Sequence, residues 1–238
     1  MVKKHLKRLV APRTWSIKKK ENKFITRPNP GPHSLEKSIT INLIVKDLLK
    51  QANTTKEVKK VLSGKNIFVD NKPITDHKFP LGLMDVISIP KTNEFFRILI
   101  NTKGNFILQP IKEQEASIKP CKIINKSILK KKKIQLNLFD GKNKIVQEDR
   151  YKVGDTIVLD LVKKEIQNHI KLEKGALVLL INGKHIGKLA IVNKINEKPG
   201  SHNDTILIKT KNSEIETFKN YVFVIGKEKP VITLQENE

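Results

Sequence analysis

ITINLIVKDLLKQANTTKEVKKVLSGKNIFVDNKPI, residues 39–74, followed by GLMDVISIP at 82–90, is the stretch around which the rest of the chain is organised. In its first part Ile44, Val45, Leu48, Leu49 and Ala52 recur at helical spacing, and further on Val58, Val61 and Leu62 do the same. Two short amphipathic helices are therefore predicted. Thr54 with Glu57 three residues on has the form of a capping box, which starts the second helix and satisfies its first orphan amides. Lys56, Lys59 and Lys60 stand at i, i+3 and i+4 on that helix, opposite the apolar stripe. One face is thus suited to a core and the other to an anion. Gly64 is expected to supply a left-handed cap, and KNIFVDNKPI a strand entering a tight turn at Asp70–Pro73. DVISI reads as a closing strand before Pro90.

Outward from this unit, 238 residues leave room for one large domain or two to three small ones, and 38% hydrophobic content favours several modest cores. Lys and Arg number 47 against 24 Asp and Glu, a formal net charge of +23. Such an imbalance repels itself unless a polyanion is near, and nucleic acid is the common one. No run reaches the roughly 18 apolar residues of a spanning helix, and the basic N-terminus lacks the apolar stretch of a signal peptide, so no membrane partner is expected. An organellar transit peptide shares that basic, acid-poor composition and stays open as an alternative. Cys121 is the lone cysteine, which excludes a disulfide framework or thiolate cluster and suits a reducing cytoplasm. His5, His33, His77, His169, His185 and His202 lack the paired spacing of a metal site, so neither metal nor cofactor is expected. Aromatic content of 5% argues against a surface built mainly to stack bases; contact with phosphate and folded shape is the better expectation.

The chain reads as α+β, mainly β, in four parts. Residues 1–38 hold eleven Lys or Arg against two Glu, with four prolines, and form a basic N-terminal extension expected to order only against a partner. Trp15 would then pack on the protein's own body or on a base. Residues 39–92 are the small α/β module. From 93 to 172 the period changes to two: FFRILINTKGNFILQPI is a hairpin turning at Thr102–Asn105, and IQLNLFDGKNKIVQ is a second, turning at Asp140-Gly141. This is an all-β middle domain. Its lysine run at 130–133 is either a solvated strand entry or a nucleic-acid contact. Residues 173–238 give four or five short strands divided by Asn182-Gly183, Pro199-Gly200 and Lys211-Asn212, the punctuation of a small closed or nearly closed barrel. Gly183 and Gly187 lack the spacing and following helix of a phosphate loop.

The order helix, helix, strand, long loop, strand in 39–92 resembles the small RNA-binding module shared by a bacterial small-subunit ribosomal protein and many RNA-modifying enzymes. The resemblance rests on the basic helix, IFVDNKPI, and the pattern Gly82, Asp85, Ile87. Over nearly its full length the chain is similar to the archaeal and eukaryotic small-ribosomal-subunit protein four family, also spelled four-e. That similarity begins with KKHLKR, Ala11-Pro12, Trp15, Arg27-Pro28 and Gly31-Pro32-His33. It continues through Lys56–Lys60, Val69-Asp70, MDVISI, Thr102-Lys103-Gly104 and Cys121-Lys122, and ends with Asn182-Gly183, Gly187, Pro199-Gly200-Ser201 and NYVFVIG. It implies a structural constituent of the small ribosomal subunit that binds ribosomal RNA and stabilises its fold during translation, without catalysis. Its last domain then resembles the KOW type of small barrel, from which Ala190 departs where the pattern has glycine. QENE directly after VITL looks more archaeal than eukaryotic.

On this reading Lys3, Lys4, His5, Lys7, Arg8, Arg13, Trp15, Lys18, Lys19, Lys20 and Arg27 follow RNA from the extension. Lys56, Lys59, Lys60, Lys65 and Lys72 present the module's face to it. The arginines suit specific contacts, because a guanidinium binds a phosphate or a guanine edge through two parallel hydrogen bonds. The expected partners are small-subunit ribosomal RNA and neighbouring small-subunit proteins, with no small-molecule substrate. Enzymatic features are weak: Asp70, Asp76 and Asp85 fit turns and strand ends, Ser63 and Ser201 lack a nucleophile turn, and Cys121 suits a half-buried loop thiol. Two other classes remain, an RNA-modifying enzyme using the same module and an elongation factor using a KOW-type barrel.

Overall fold

The basic N-terminal segment is folded onto the body. In the computed structural model, which describes residues 4–130, 133–196, 204–210 and 213–234, β1 (Leu6–Lys7) pairs antiparallel with β2 (Phe24–Ile25), placing Leu6 opposite Ile25. Leu6, Ala11, Trp15 and Ile25 are buried in the same core as Ile44, Val58 and Leu62. The expectation that this segment orders only against a partner is therefore corrected. Four apolar side chains are too few for a core of their own, yet enough to complete one offered by the module.

After β3 (Ser38–Thr40) the first predicted helix begins as a single α-turn, α1 (Ile41–Leu43), and continues as a π-helix over Ile44–Leu48. The Leu49 amide donates to the Ile44 carbonyl at 2.8 Å, the i to i+5 spacing of a π-turn, and the Gln51 amide reaches the Val45 carbonyl at 3.0 Å, one residue wider still, as the helix ends. Lys50, at φ +56°, ends the helix, so buried Ala52 packs from the loop beyond it and not from the helix. The second helix, α2 (Thr55–Ser63), has its capping box: Glu57 N–H donates to Thr54 Oγ1 at 3.3 Å, and Glu57 Oε2 accepts the Thr54 amide at 3.4 Å. Val58 and Leu62 are buried. At its end Gly64 stays at φ −73° and the left-handed residue is Lys65 at φ +52°. The Gly64 amide still reaches the Lys60 carbonyl at 3.3 Å, so the reversal falls one residue beyond the glycine.

β4 (Phe68–Val69) and β5 (Lys72–Pro73) form a hairpin whose two turn residues, Asp70 and Asn71, both have positive φ, the primed geometry that matches strand twist. β6 (Pro80–Gly82) pairs with β3. β7 (Val86–Ile89), β8 (Glu94–Ile100) and β9 (Phe106–Pro110) complete a sheet of order β5-β4-β7-β8-β9, with Val86 opposite Arg97 and Ile100 opposite Phe106. The 94–110 hairpin thus hydrogen-bonds to the α/β module; period-two alternation marks strands and is silent on their neighbours. α3 (Glu113–Ala116) follows. The buried Asp85 carboxylate accepts the Gly82 amide at 2.8 Å and lies 3.0 Å from His33 Nε2. A Cβ at Gly82 would sit 2.5 Å from the His33 ring, which is why the residue facing that imidazole has no side chain.

The elements from β1 to α3 belong to one compact unit, Met1–Ile100 with Gly104–Ser117; the second is Asn101–Lys103 with Ile118–Glu238. In the second, β10 (Ile118–Ile128), β11 (Ile134–Leu138), β12 (Asn143–Val146), β13 (Thr156–Asp160) and β14 (Ile166–Ile170) form a sheet of order β12-β11-β10-β13-β14. The register of β10 against β11 shifts between Ile123 and Asn125. Cys121 is buried within β10 beside Ile123 and Ile157, a strand thiol in a core and not a loop residue. β15 (Leu177–Leu180), β16 (Leu189–Asn196), β17 (Thr205–Lys209), β18 (Glu214–Phe218) and β19 (Val222–Gly226) form the last sheet, order β18-β17-β16-β15-β19, curled as a half-barrel. Gly183 turns at φ +87° between β15 and β16, while the Pro199-Gly200 and Lys211-Asn212 turns lie outside the described residues. Ala190 sits in β16 opposite Val178, buried, so that position packs a methyl into the sheet's core. Val158 and Ile170 join the core of the last sheet, and Lys122 Nζ donates to the carbonyls of Lys219, Asn220 and Val222 at 3.1, 3.1 and 2.6 Å. No helix among the described residues is long and apolar enough to cross a membrane.

Candidate nucleic-acid interface

α2 is fixed from behind, and that decides what it shows in front. Val58 and Leu62 anchor it in the core and Thr54 and Glu57 close its first turn, so Lys56, Lys59 and Lys60 are held exposed on a rigid helix. Residues three and four apart on a helix stand roughly 5–6 Å from one another at Cβ, which makes these ammonium groups neighbours. Lys65 and Lys72 are also exposed, one just past the helix and one in the β4–β5 hairpin. His77 reports the local field: burial and then the Lys59 charge push its imidazole below the ordinary 6.5, outweighing the opposite pull of Asp76. His77 was missed by the sequence reading, since nothing local places it against the α2 lysine. Asp76 is engaged as an acceptor, from Asn29 Nδ2 at 2.7 Å and the Lys78 amide at 2.9 Å.

The N-terminal candidates divide. Lys4, His5, Lys7, Arg13, Lys18, Lys19 and Lys20 are exposed and Arg27 is half-buried; Lys3 lies outside the described residues. Arg8 and Trp15 face inward: for Arg8 this corrects the assignment to RNA contact, and for Trp15 it selects packing on the protein's own body over stacking on a base. Arg8 is 5% exposed, donates to the Lys18 carbonyl at 2.8 Å and pairs with Glu21 at 3.2 Å. Trp15 is 3% exposed, and its indole N–H donates to the Ser38 carbonyl at 2.6 Å, tying the segment to the start of the module. Both residues have a partner close in space but distant in sequence, so composition alone assigned Arg8 to the surface and left the packing of Trp15 open between body and base. Phe24, half-exposed beside the His5 ring and under Lys23 Nζ, is a further surface aromatic that the reading passed over.

The acids serve the fold. Asp70 Oδ1 accepts the Val86 amide at 3.2 Å, Asp85 is held in the His33 contact, and the Asp160 carboxyl is kept below its usual range by the amide of Lys163, then that of Val162. Burial raises Asp47 despite the nearby Lys46 and Arg8 charges. Among the described residues no group of three or more His, Cys, Asp and Glu is placed to hold a metal ion. The arrangement sets Lys56, Lys59, Lys60 and Lys72 on a fixed helix and hairpin, with further cations in the first segment, and is suited to docking against phosphates.

Two family models match the sequence, described as "Ribosomal family S4e" over residues 92–166 and "RS4NT (NUC023) domain" over residues 2–36. The small ribosomal subunit protein eS4 of Methanosphaera stadtmanae is 42% identical over 231 residues, covering 97% of this chain and 95% of that one. The eS4 protein of Methanothermobacter thermautotrophicus is 41% identical, covering 97% and 96%. The fold is similar to the crystal structure of the 30S ribosomal protein S4e from Thermoplasma acidophilum, with a TM-score of 0.70 and 30% identity over 80% of this chain and 96% of that one.

Proposed function

The chain belongs to the S4e family of ribosomal proteins, structural constituents of the small ribosomal subunit, and we propose that it acts there by binding small-subunit ribosomal RNA through the basic face of its first unit. Lys56, Lys59 and Lys60, exposed on a helix whose other side is locked in a core, are the observation that carries this reading. A cation on a rigid element loses little freedom on binding, so a larger share of its interaction with phosphate remains as affinity. Lys65, Lys72 and the exposed cations of the first segment, Lys4, Lys7, Arg13, Lys18, Lys19 and Lys20, add to the positive charge of the same unit. Stabilising one RNA fold against its competitors requires no acid, base or cofactor; neighbouring small-subunit proteins are the second class of partner, and the cytoplasmic ribosome is the place. We further propose that the chain works in the four segments 1–38, 39–92, 93–172 and 173–238, with 1–38 and 39–92 making the primary RNA contacts and the 94–110 hairpin of the third paired in the fold to the second.

Two measurements test this. A native extract is sedimented through a sucrose gradient at low salt and again after a high-salt wash, and the protein is expected with the small subunit in near-equal stoichiometry in both. The purified protein is then titrated with small-subunit ribosomal RNA across salt. With six to ten phosphate contacts, affinity should fall by roughly 10³ to 10⁵ between 50 and 200 mM salt. Loss from the subunit at moderate salt, with affinity flat in salt, would instead favour a factor that visits the ribosome through its barrel.

A further inference from the structure

The outer face of the β12-β11-β10 half of the middle sheet carries an uncharged amide row. Asn125, Asn137 and Asn143 stand opposite one another across the three strands, and the next row is Ser127, Gln135 and Ile145. Leu136 and Leu138, at the alternate positions of β11, are in the core, so these six side chains share the other face. Asn125 and Asn143 are exposed and Asn137 is half-buried; Gln135 Nε2 donates to Asn137 Oδ1 at 2.9 Å. Strands disfavour asparagine; Asn125 Oδ1 accepts the Lys126 amide at 2.8 Å where the β10–β11 register shifts, which leaves its amide NH2 group and the side chains of Asn137 and Asn143 facing outward in one cross-strand row. The strands contain no Asp or Glu. Beyond one end of the row, where β10 passes to β11, Lys130 and Lys133 are exposed and the Leu129 amide bonds the Lys133 carbonyl at 2.7 Å. From strand spacing and rise, the row is roughly 10 Å wide and the lysines stand roughly 15 Å along the strands from it.

We propose that this face is a second RNA site, one that lies in the minor groove of an A-form helix. The asparagine amides bond 2′-hydroxyls and base edges, while Lys130 and Lys133 reach the flanking phosphates. An A-form minor groove is wide, shallow and lined with 2′-hydroxyls, which both donate and accept. A carboxamide also does both, and a face whose strands carry no carboxylate can approach the phosphates on either side. Charge complementarity with a polyanion, and a face whose exposed apolar member is Ile145 alone among these six residues, favour RNA over a protein neighbour. This inference rests on the reading of the chain as an rRNA-binding protein.

The test uses the full chain and small-subunit rRNA transcribed in vitro, with 2′-hydroxyl acylation as the readout, alongside a generic RNA duplex and the DNA duplex of the same sequence. Replacing Asn125, Asn137 and Asn143 together by Ala should weaken rRNA binding about 10- to 1,000-fold, judged by three ordinary hydrogen bonds, and leave the salt slope unchanged because no charge is lost. One discrete set of 2′-hydroxyl protections should disappear, different from the set lost when Lys56, Lys59 and Lys60 become Gln. The variant's preference for RNA duplex over DNA duplex should shrink, whereas Lys130→Gln with Lys133→Gln should lower the salt slope by roughly 1–2. If the alanine variant has a lower Tm, Asn125→Asp, at the exposed end of the row, is used instead and should weaken the same protections. Wild-type affinity within twofold, an equal loss on RNA and DNA, or normal rRNA affinity with failure to enter reconstituted subunits would each overturn the proposal, the last pointing to a protein neighbour. If the wild type protects no 2′-hydroxyl at all, the rRNA-binding reading falls with it; if it does and the alanine variant keeps every protection, this inference alone falls.

Discussion

Lys56, Lys59 and Lys60 on α2 end in solvent, whereas Lys119 and Lys122 on β10 end inside the protein. A nine-residue helix packed by one stripe leaves the rest of its circumference outside, so its lysines keep their hydration. β10 is central in its sheet, with β11 and β13 on either side, and its lysines must find partners within the fold. Lys119 Nζ meets the buried Asp140 at 3.1 Å, and Asp140 is also 3.2 Å from Lys142. Lys122 has three N–H donors, and three carbonyls around the turn before β19 accept them. The contrast shows that lysine density does not locate an interface. Exposed ammonium groups on a fixed element are available to a polyanion, while buried ones join strands and turns.

The contrast can be broken most severely at Trp15, the apolar residue that turns a basic segment into part of a core. Trp15→Ala should destabilise the first unit by about 3–5 kcal/mol, read as a lower denaturation midpoint, because it empties a large buried volume and removes the bond to Ser38. A shift near zero would show that the segment is a loosely attached tail after all. Next comes Lys122→Met, which keeps the apolar stem but leaves three carbonyls short of a donor. A loss of about 3 kcal/mol is expected in urea unfolding of the second unit, against less than about 0.5 kcal/mol for Lys59→Met on the helix surface. Equal effects would erase the distinction between the two lysine classes.

A sharper and smaller effect is expected from changing Lys56, Lys59 and Lys60 together to Gln. Folding stability should hold while the slope of log affinity for rRNA against log salt falls by roughly 2–3, measured by filter binding. The smallest effect is in pH. The folded imidazole of His77 protonates less readily than the unfolded one, whose ordinary value is 6.5. Its contribution to stability is therefore complete above that value and is lost as pH falls through the lowered folded value. His77→Gln should flatten that slight acid-side loss in melts taken between pH 5 and 7. A phosphate docked beside Lys59 should reverse the trend for binding, so RNA affinity of the wild type rises more on acidification than that of the variant.

Much of this architecture was legible in the chain. The capping box at Thr54 and Glu57, a tight turn within Asp70–Pro73, which the structure narrows to Asp70 and Asn71, and the lysine face of α2 follow from local chemistry, since helix periodicity and turn preference act within a few residues. The short strands of the last sheet followed for the same reason. What was misread lay across long sequence separations. Arg8 looked like a cation of a basic tail, and Trp15 left body and base both open, because Glu21, Lys18 and Ser38 come to them through folding. His77 was passed over for want of any local sign that it faces Lys59. The alternation in 94–110 said strand, but the backbone groups of β7 decided whose sheet it joins.

The amide row states the same division in one place. Asn125, Asn137 and Asn143 are three separate polar residues in the sequence, and antiparallel register alone brings them side by side. By itself the sequence determined net charge, helix faces, turn chemistry and the number of short strands, because each is set by residue type and near-neighbour spacing. Tertiary structure decided which cations remain in water, which strands share a ladder and which polar groups converge, because hydrogen-bond pairing and burial depend on partners that only the folded chain brings within reach.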